Sequence, residues 1–337
     1  MRAQALSGFT VLSLLLGVGC QGAAPTPPTS APAAAPTAAP TKPAAVASPS
    51  ASPSPAASPA AAASPKPAAS PAASPSAAAS PSPVATGRVI NFDAADYSYT
   101  LPDTLAAGQV TLVMRNVGQV PHQAQLMKLN SGVTLQQLTA ALAQSGESAA
   151  LTLVTLGGGP GILDPGPNTE QVTVDLQEGN YVVASFLVDQ DGTPQFIKGM
   201  VKTLQVTPAT PGAASSQPNA PVTITLRDFD FETPGTIPSG NTTWRINNAG
   251  PQPHELQVAK LPAGGSTDDI LKVYTTLPPP PRTFQSPGGM QGLSPNANGF
   301  LTLNLQAGDY AFYCTMPDPN TGQRHLQEGM LKQITIR

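Results

Sequence analysis

The sequence predicts an all-β protein in which two tandem Greek-key β-sandwich domains follow an export signal and a disordered linker. Three observations lead to this prediction. After an initial apolar run, the chain up to residue 86 has almost no large apolar side chains. The rest of the chain contains an internal repeat. Each copy consists of short runs with alternating or β-branched residues, separated by Gly, Pro and Asn.

The first element is residues 1–20, which read as an export signal. Arg2 supplies a positive start, residues 9–18 are apolar, and the run is short for a membrane span. The segment 16–20, Leu-Gly-Val-Gly-Cys, resembles a bacterial lipobox, although Gly17 stands where Leu is usual. The resemblance implies that Cys20 is lipidated and that the protein is exported and anchored at the bacterial cell membrane, facing the periplasm or the exterior. Ordinary signal cleavage, with Cys20 as a spectator, is the alternative.

Residues 21–86 form the second element, a spacer of Ala, Pro, Ser and Thr with repeated Ala-Ser-Pro. Such a segment has almost no large apolar side chains to bury, so we expect an extended, disordered linker. The linker either lets a tethered domain search for partners or serves as a passive stalk.

The internal repeat then defines two domains of similar length. Residues 96–129 align with residues 228–261 at a constant offset and without a gap. The identical pairs include Pro102/Pro234, Gly108/Gly240, Asn116/Asn248, Gly118/Gly250, Pro121/Pro253, His122/His254 and Lys128/Lys260. The predicted domains are residues 87–207 and 221–337, here called the N-terminal and C-terminal repeats, with a hinge at 208–220.

Each repeat is predicted to be mostly strand with one helix. In the C-terminal repeat the predicted strands are 222–226, 242–246, 255–259, 300–305, 310–313 and 331–336. Ser266 or Thr267 is expected to cap a helix over 268–275, which has two acidic residues in its first turn. The matching helix of the N-terminal repeat is expected at 134–144.

Composition limits the function. The net charge is -3, only 10% of residues are charged, and there is no basic run, so no nucleic acid partner is expected. Two Cys in the chain exclude a disulfide-stapled scaffold. No catalytic constellation of nucleophile, base or paired carboxylates stands out, and the sequence predicts a non-enzyme.

The last 28 residues hold a set of soft metal ligands. Cys314, His325 and Met330 are spaced as C-x10-H-x4-M between two strand-like runs. A thiolate, an imidazole and a thioether, joined by a second imidazole, supply the ligands of a blue copper centre. His254 is the candidate for that second imidazole.

The residues around these ligands resemble the cupredoxins, the family of plastocyanin and azurin. The resemblance is carried by Asn247-Asn248-Ala249-Gly250 before Pro253-His254, by Tyr310-Ala-Phe-Tyr-Cys314 and by Gly329-Met330. It implies one mononuclear type 1 copper, with His254, Cys314 and His325 as equatorial ligands and Met330 as the axial ligand. The three His of the chain are too few for a multicopper oxidase or a copper nitrite reductase.

Three departures from the family pattern concern the surroundings of the ligands. The loop between Cys314 and His325 is longer than in plastocyanin or azurin, and one extra residue separates Gly250 from Pro253. Glu255 follows the first His, where plastocyanin has Asn. None of these departures removes a ligand.

The N-terminal repeat lacks the full ligand set. His122 and Met200 persist, but Ser185 and Gln195 stand where the thiolate and the second imidazole would be. We expect no copper there, with His122 held by hydrogen bonds as a structural remnant and the repeat serving as a spacer or docking surface.

The resulting functional hypothesis is an exported, membrane-anchored copper protein that carries single electrons to or from an unknown redox partner protein. Two alternatives remain open at this stage. One is copper storage or delivery, and the other is a metal-free cupredoxin-like binding or adhesion module.

Overall fold

The computed structural model describes residues 88–209 and 216–337. The predicted signal peptide, Cys20, the linker and part of the hinge lie outside these residues. Within the two described ranges, no helix is both long enough and apolar enough to span a membrane.

The N-terminal repeat contains nine strands and one helix. These elements are β1 (Arg88–Ala95), β2 (Ser98–Tyr99), β3 (Thr104–Ala106), β4 (Gly108–Asn116), β5 (Gln125–Leu129), α1 (Leu135–Leu151), β6 (Val154–Leu156), β7 (Thr169–Leu176), β8 (Gly179–Ala184) and β9 (Val201–Thr207).

The C-terminal repeat contains eight strands and one helix. They are β10 (Val222–Arg227), β11 (Asp230–Glu232), β12 (Gly240–Asn248), β13 (His254–Lys260), α2 (Thr267–Thr275), β14 (Gln285–Leu293), β15 (Asn298–Leu305), β16 (Gly308–Tyr313) and β17 (Leu331–Ile336). A 3₁₀ turn, His325–Gln327, precedes β17. All six strands predicted for this repeat are present.

Each repeat packs one sheet of its own against its share of a common sheet. The separate sheets have the orders β3-β9-β8-β5-β6 and β14-β13-β16-β17. In the C-terminal repeat, Trp244 of β12 packs on Phe312 of β16 with ring centroids 5.7 Å apart, so the two sheets face each other across an aromatic core. The predicted all-β fold with two tandem sandwiches is confirmed.

The common sheet runs through both repeats. Its order is β11-β10-β12-β15-β7-β4-β1-β2, and the link between the repeats is the antiparallel pairing of β15 with β7. All described residues fall within one compact unit. The two repeats therefore share backbone hydrogen bonds and one continuous core.

Strand β14 forms a second contact between the repeats and was not predicted from the sequence. Its sequence, QSPGGMQGL, has no alternation and is rich in Gly, which are features typical of a loop. Its glycines allow a close backbone approach. The N–H of Gly161 donates to the carbonyl of Gly289 at 3.0 Å, and a Cβ on Gly161 would lie 2.5 Å from the Gly289 backbone.

The two helices follow β5 and β13, as predicted. Ser266 caps α2 by accepting a hydrogen bond from the N–H of Asp268. Thr134 and Gln137 form a capping box at the start of α1. The predicted end of α1 at residue 144 is wrong, because the chain resumes a helical course after Gly146, which has a φ of 79°, and continues to Leu151.

Candidate metal centre

A polar loop fixes the position of His254 at the start of β13. The side-chain amide of Asn248 donates to the carbonyls of Gln252 and Leu293, each at 2.8 Å, and its oxygen accepts from the N–H of Gly250 at 3.0 Å. A Cβ on Gly250 would lie 2.7 Å from Nε2 of His254, so only Gly leaves room for the imidazole. The Asn-Asn-Ala-Gly motif therefore fixes the position of the His254 side chain.

The other sequence-predicted ligands lie on the loop that follows β16. The N–H of Cys314 donates to the carbonyl of Met330 at 3.1 Å, and the N–H of Met330 donates to the carbonyl of His325 at 2.9 Å. The N–H of Leu326 returns to the carbonyl of Cys314 at 2.9 Å. These backbone bonds bring the two ends of the ten-residue loop together.

The structure brings three of the predicted ligands into one cluster. The Nδ1 atoms of His254 and His325 are 3.0 Å apart, and Sγ of Cys314 is 3.4 Å from Nδ1 of His325. One ligand atom from each of the three residues lies within 4.8 Å of the other two, and all three side chains are fully buried. This is the only such His, Cys and carboxylate cluster among residues 88–209 and 216–337.

Met330 is also fully buried, and its backbone is tied to Cys314 and His325. Its role as the axial ligand stays a prediction. The predicted lipidation site, Cys20, lies outside the described residues.

Outer hydrogen bonds orient both imidazoles. Nε2 of His254 bonds to Oδ1 of Asp228, and Nε2 of His325 lies 3.2 Å from Oε1 of Gln252. The Gln252 amide donates through Nε2 to Asp318 at 3.1 Å, which leaves its oxygen for His325. Because both outer partners are acceptors, each imidazole carries its hydrogen on Nε2 and presents the lone pair of Nδ1 to the cluster.

The inward-facing Nδ1 atoms of the two imidazoles require a cation between them. Two imidazole lone pairs 3.0 Å apart repel each other unless a proton or a metal ion lies between them. Burial lowers the pKa of His254, with Asp228 opposing the shift. Burial, reinforced by the neighbouring His254, lowers the pKa of His325 to about 4. Near neutral pH neither imidazole holds a second proton, so a metal ion is the cation that suits the cluster.

Burial raises the pKa of Cys314 far above its usual value, and the Glu255 carboxyl adds to the shift. The thiol is therefore protonated until a metal displaces its proton, which couples metal binding to proton release. One thiolate and two imidazoles form the donor set that copper prefers in a trigonal site. The residues present fit a single type 1 copper.

Glu255 connects the strand of His254 to the loop that begins with Cys314. Its backbone N–H points to Sγ of Cys314 at 3.4 Å. Its carboxylate accepts from the N–H and the hydroxyl of Thr315, each at 2.7 Å, and from the amide of Gln257 at 3.0 Å. Glu255, which stands where plastocyanin has Asn, therefore adds a set of buried hydrogen bonds beside the sulfur.

Sequence reasoning missed three residues that surround the cluster. Asp228 and Gln252 bond the imidazoles, and the ring of Phe229 lies edge-on to His325 with centroids 5.0 Å apart. One signal was available, since Asp228 and Asp96 are matching residues that open the two aligned windows.

The N-terminal repeat shows the same framework without the ligands. Nδ1 of His122 lies 3.0 Å from Oε1 of Gln195, and Nε2 lies 3.0 Å from Oδ1 of Asp96. The hydroxyl of Ser185 donates to the same Gln195 oxygen at 2.7 Å. His122 is held by hydrogen bonds, and its partners come from two other segments of the repeat.

No family model matches the sequence, and no curated protein is significantly similar to it. Solved structures do match. A dithionite-reduced auracyanin from Roseiflexus castenholzii is 22% identical, with 35% of this chain and 99% of that chain covered and a TM-score of 0.27. Auracyanin B is 19% identical, with 37% and 93% covered and a TM-score of 0.27. A copper nitrite reductase from Nitrosomonas europaea is 13% identical, with 74% and 94% covered and a TM-score of 0.22.

The sheet topology and the position of the cluster together identify the type of fold. Each repeat is a β-sandwich, and in the C-terminal repeat His254 begins β13 while Cys314, His325 and Met330 lie between β16 and β17. The β-sandwich fold that the resemblance to cupredoxins implies is confirmed, and three of the four ligands that it implies form one buried cluster.

Proposed function

We propose that the protein is a one-electron carrier that uses a mononuclear blue copper site in its C-terminal repeat. The observation that carries the proposal is the fully buried cluster of Cys314, His254 and His325, in which both imidazoles direct Nδ1 inward. These three residues would hold the metal, and Met330 would approach it axially. When bound, copper supplies a one-electron redox couple.

The residues around the cluster suit electron transfer. Separate hydrogen bonds hold each imidazole from outside, and backbone bonds hold the loop that carries Cys314 and His325. Ligands held in this way keep their positions when the charge of the metal changes, so little reorganisation accompanies each transfer. The complete burial of all three side chains also leaves no ligand-side opening for a substrate, which favours a carrier over an enzyme.

The test uses the full chain loaded with Cu(II). We expect an intense visible band at about 600 nm from the thiolate–copper pair, which disappears on reduction and returns on reoxidation. Cys314→Ser should abolish the band, while Ser185→Ala, the change at the matching position of the N-terminal repeat, should leave it intact. A full chain that stays colourless and copper-free after loading would contradict the proposal.

Copper delivery is a second candidate because residues 319–323, within the loop between Cys314 and His325, are exposed. If this loop opened readily, a Cu(I) chelator would remove the metal within seconds. A carrier, with its ligands buried, should release copper only over hours. The rate of copper loss to a chelator in excess therefore separates the two functions.

The membrane anchor is part of the proposal and is supported by residues 1–20 alone. Lipidation of Cys20 predicts that the full chain sediments with membranes and incorporates a labelled fatty acid. Cys20→Ala should release the protein into the soluble exported fraction without changing its visible spectrum. A spectrum that changed with Cys20 would mean that this thiol takes part in copper binding.

A further inference from the structure

A large cavity lies where the two repeats meet, separate from the three ligand side chains. Its volume is about 810 Å³, within the range of small-molecule sites. Both repeats supply its apolar wall, with Met127, Leu142 and Phe186 from one and Tyr274, Phe284 and Met316 from the other. None of His254, Cys314 and His325 lines it, so the cavity is distinct from the metal centre.

The charged groups on the wall are already compensated by protein partners. The pairs are Arg282 with Asp164 at 3.3 Å, Arg324 with Glu147 at 3.3 Å and Lys198 with Asp189 at 2.7 Å. The Glu255 carboxylate on the same wall is occupied by Thr315 and Gln257. A charged ligand would lack a counter-ion in this cavity and would lose its hydration on entering. An uncharged ligand has no such cost.

One buried side-chain atom among the residues that line the cavity has no hydrogen-bond partner. Gln291 of β14 is 1% exposed, and its amide nitrogen Nε2 makes no hydrogen bond. A buried donor without an acceptor is costly, and a ligand that offers an acceptor oxygen removes that cost. Gln291 therefore favours a ligand with an acceptor oxygen.

We propose that this cavity binds an uncharged, mainly apolar aromatic molecule whose carbonyl oxygen accepts a hydrogen bond from Nε2 of Gln291. The apolar wall holds the ring system, and the compensated charges select against ionised ligands. The N-terminal repeat, which lacks the full ligand set, contributes about half of the residues that line this site.

The cavity also adjoins the metal centre through Glu255 and Thr315. Glu255 donates its backbone N–H to Sγ of Cys314 at 3.4 Å, and Thr315 follows that cysteine in the chain. A molecule in the cavity contacts both residues without touching a ligand. Its binding should therefore shift the visible band of the copper-loaded protein, although binding itself does not depend on copper.

The probe is prodan, a neutral naphthalene ketone whose fluorescence reports the polarity of its surroundings. Titrated into the full chain, prodan should bind with a one-to-one stoichiometry and a blue-shifted emission. Naphthalene, which has no acceptor, should compete more weakly than 2-acetylnaphthalene, and the anion 2-naphthoate should not compete. Gln291→Leu should weaken prodan binding about tenfold, equivalent to one hydrogen bond, and leave naphthalene binding unchanged.

Two further variants locate the site. Val188 lines the cavity and is half-buried, so Val188→Trp should fill the space and abolish prodan binding. Val89 is 48% exposed on β1 and does not line the cavity, so Val89→Trp is the matched control and should bind prodan normally. Circular dichroism of each variant shows that the fold is retained.

The proposal is overturned if prodan does not saturate, if Val188→Trp binds it as well as the unchanged protein, or if 2-naphthoate competes best. The copper proposal fails independently. If the protein binds prodan but takes up no copper, only the electron-carrier function is contradicted. If the protein turns blue with copper but does not bind prodan, only the cavity site is contradicted.

Discussion

At the scale of single residues, the partners outside the cluster decide what the ligands can do. Asp228 and Gln252 accept hydrogen bonds from the outer nitrogens, and this fixes the inner nitrogens as lone-pair donors. We expect a change in either partner to alter metal affinity without removing a ligand. The tautomer of each imidazole is therefore determined by a residue that is not itself a ligand.

Asp228→Asn tests this argument. The carboxylate only accepts hydrogen bonds, whereas an amide also offers a donor and so allows the wrong tautomer of His254. We expect copper affinity, measured by competition with a chelator, to fall about 10- to 100-fold. Asp96→Asn is the matched control, because Asp96 makes the same bond to His122 in a repeat without the ligand set.

An Asp228→Asn variant with unchanged affinity would mean that the position of His254 alone, without its outer hydrogen bond, determines binding. An equal loss in Asp96→Asn would point to a general effect on folding.

The four ligand candidates could be predicted from the sequence because Cys and His are scarce and their spacing is specific. Asp228, Gln252 and Phe229 could not be assigned a role in this way. Acidic residues, amides and aromatic rings are common in the chain, and only folding shows which of them reach an imidazole. For Met330 the burial is observed, and the axial contact stays a prediction.

At the scale of elements, one strand-and-loop framework occurs twice with different side chains. In the C-terminal repeat it presents Cys314 and His325, and in the N-terminal repeat it presents Ser185 and Gln195. Each set lies beside a His that is bonded to an Asp. The framework therefore folds without metal ligands. The two repeats differ at the site in the two side chains that this framework presents, and we expect copper binding to depend on them.

Grafting the ligands tests this conclusion. We expect Ser185→Cys with Gln195→His, made in a Cys314→Ser background, to create a new blue copper site in the N-terminal repeat. His122 is already oriented by Asp96, Met200 is fully buried, and Asp189, which now bonds Gln195 at 2.9 Å, is available to the new imidazole.

The measurement is the visible band together with copper stoichiometry. Ser185→Cys alone in the same background is the control and should stay colourless. A colourless double variant with an intact fold would show that the framework of the N-terminal repeat has diverged in geometry as well as in side chains.

The second element-scale feature is the glycine contact between residue 161 and β14. Gly161→Ala places a Cβ 2.5 Å from the backbone of Gly289, where no side chain can move aside. We expect the free energy of unfolding to fall by about 2 kcal/mol, as for overpacked sites. Gly157→Ala is the control, because its Cβ would meet its nearest neighbour at an ordinary 3.7 Å.

Denaturant unfolding of both variants measures the difference. A Gly161→Ala protein as stable as Gly157→Ala would indicate that the repeats separate slightly at no cost, and that the close approach of β14 is not required.

At the scale of the whole molecule, the union of the repeats is the feature that the sequence did not predict. Alternation and turn residues identify strands within each copy, but the edge pairing of β7 with β15 brings together segments more than 100 residues apart. Periodicity carries no information on which edges meet. The second contact, made by β14, could not be predicted either. The glycines of β14 allow the two backbones to lie close together, but they produce no alternating pattern that would indicate a strand.

The contact between the repeats also contains a buried acid. Glu170 of β7 is fully buried, and Oε1 accepts from the N–H groups of Gly161 at 3.0 Å and Gly289 at 2.5 Å. Oε2 has no partner. Burial raises the pKa of Glu170 to about 8, against the opposing effect of the two N–H groups. The folded protein therefore keeps a proton on Glu170 at neutral pH.

This proton makes stability depend on pH in a defined direction. Between about pH 4.5 and 8, the unfolded chain has lost the proton that the folded protein retains, so the free energy of unfolding falls as the pH rises. Glu170→Gln keeps the acceptor for both N–H groups and never ionises. We expect it to match the unchanged protein near pH 4 and to exceed it by about 3 kcal/mol at pH 7.

Urea unfolding at several pH values measures both curves, and every other titrating group cancels in their difference. Parallel curves would contradict the buried, protonated state of Glu170. Curves that diverge as the pH rises would instead show that the carboxyl group at the junction of the repeats has to remain neutral, so that the stability of the folded protein declines as the pH rises from about 4.5 to 8.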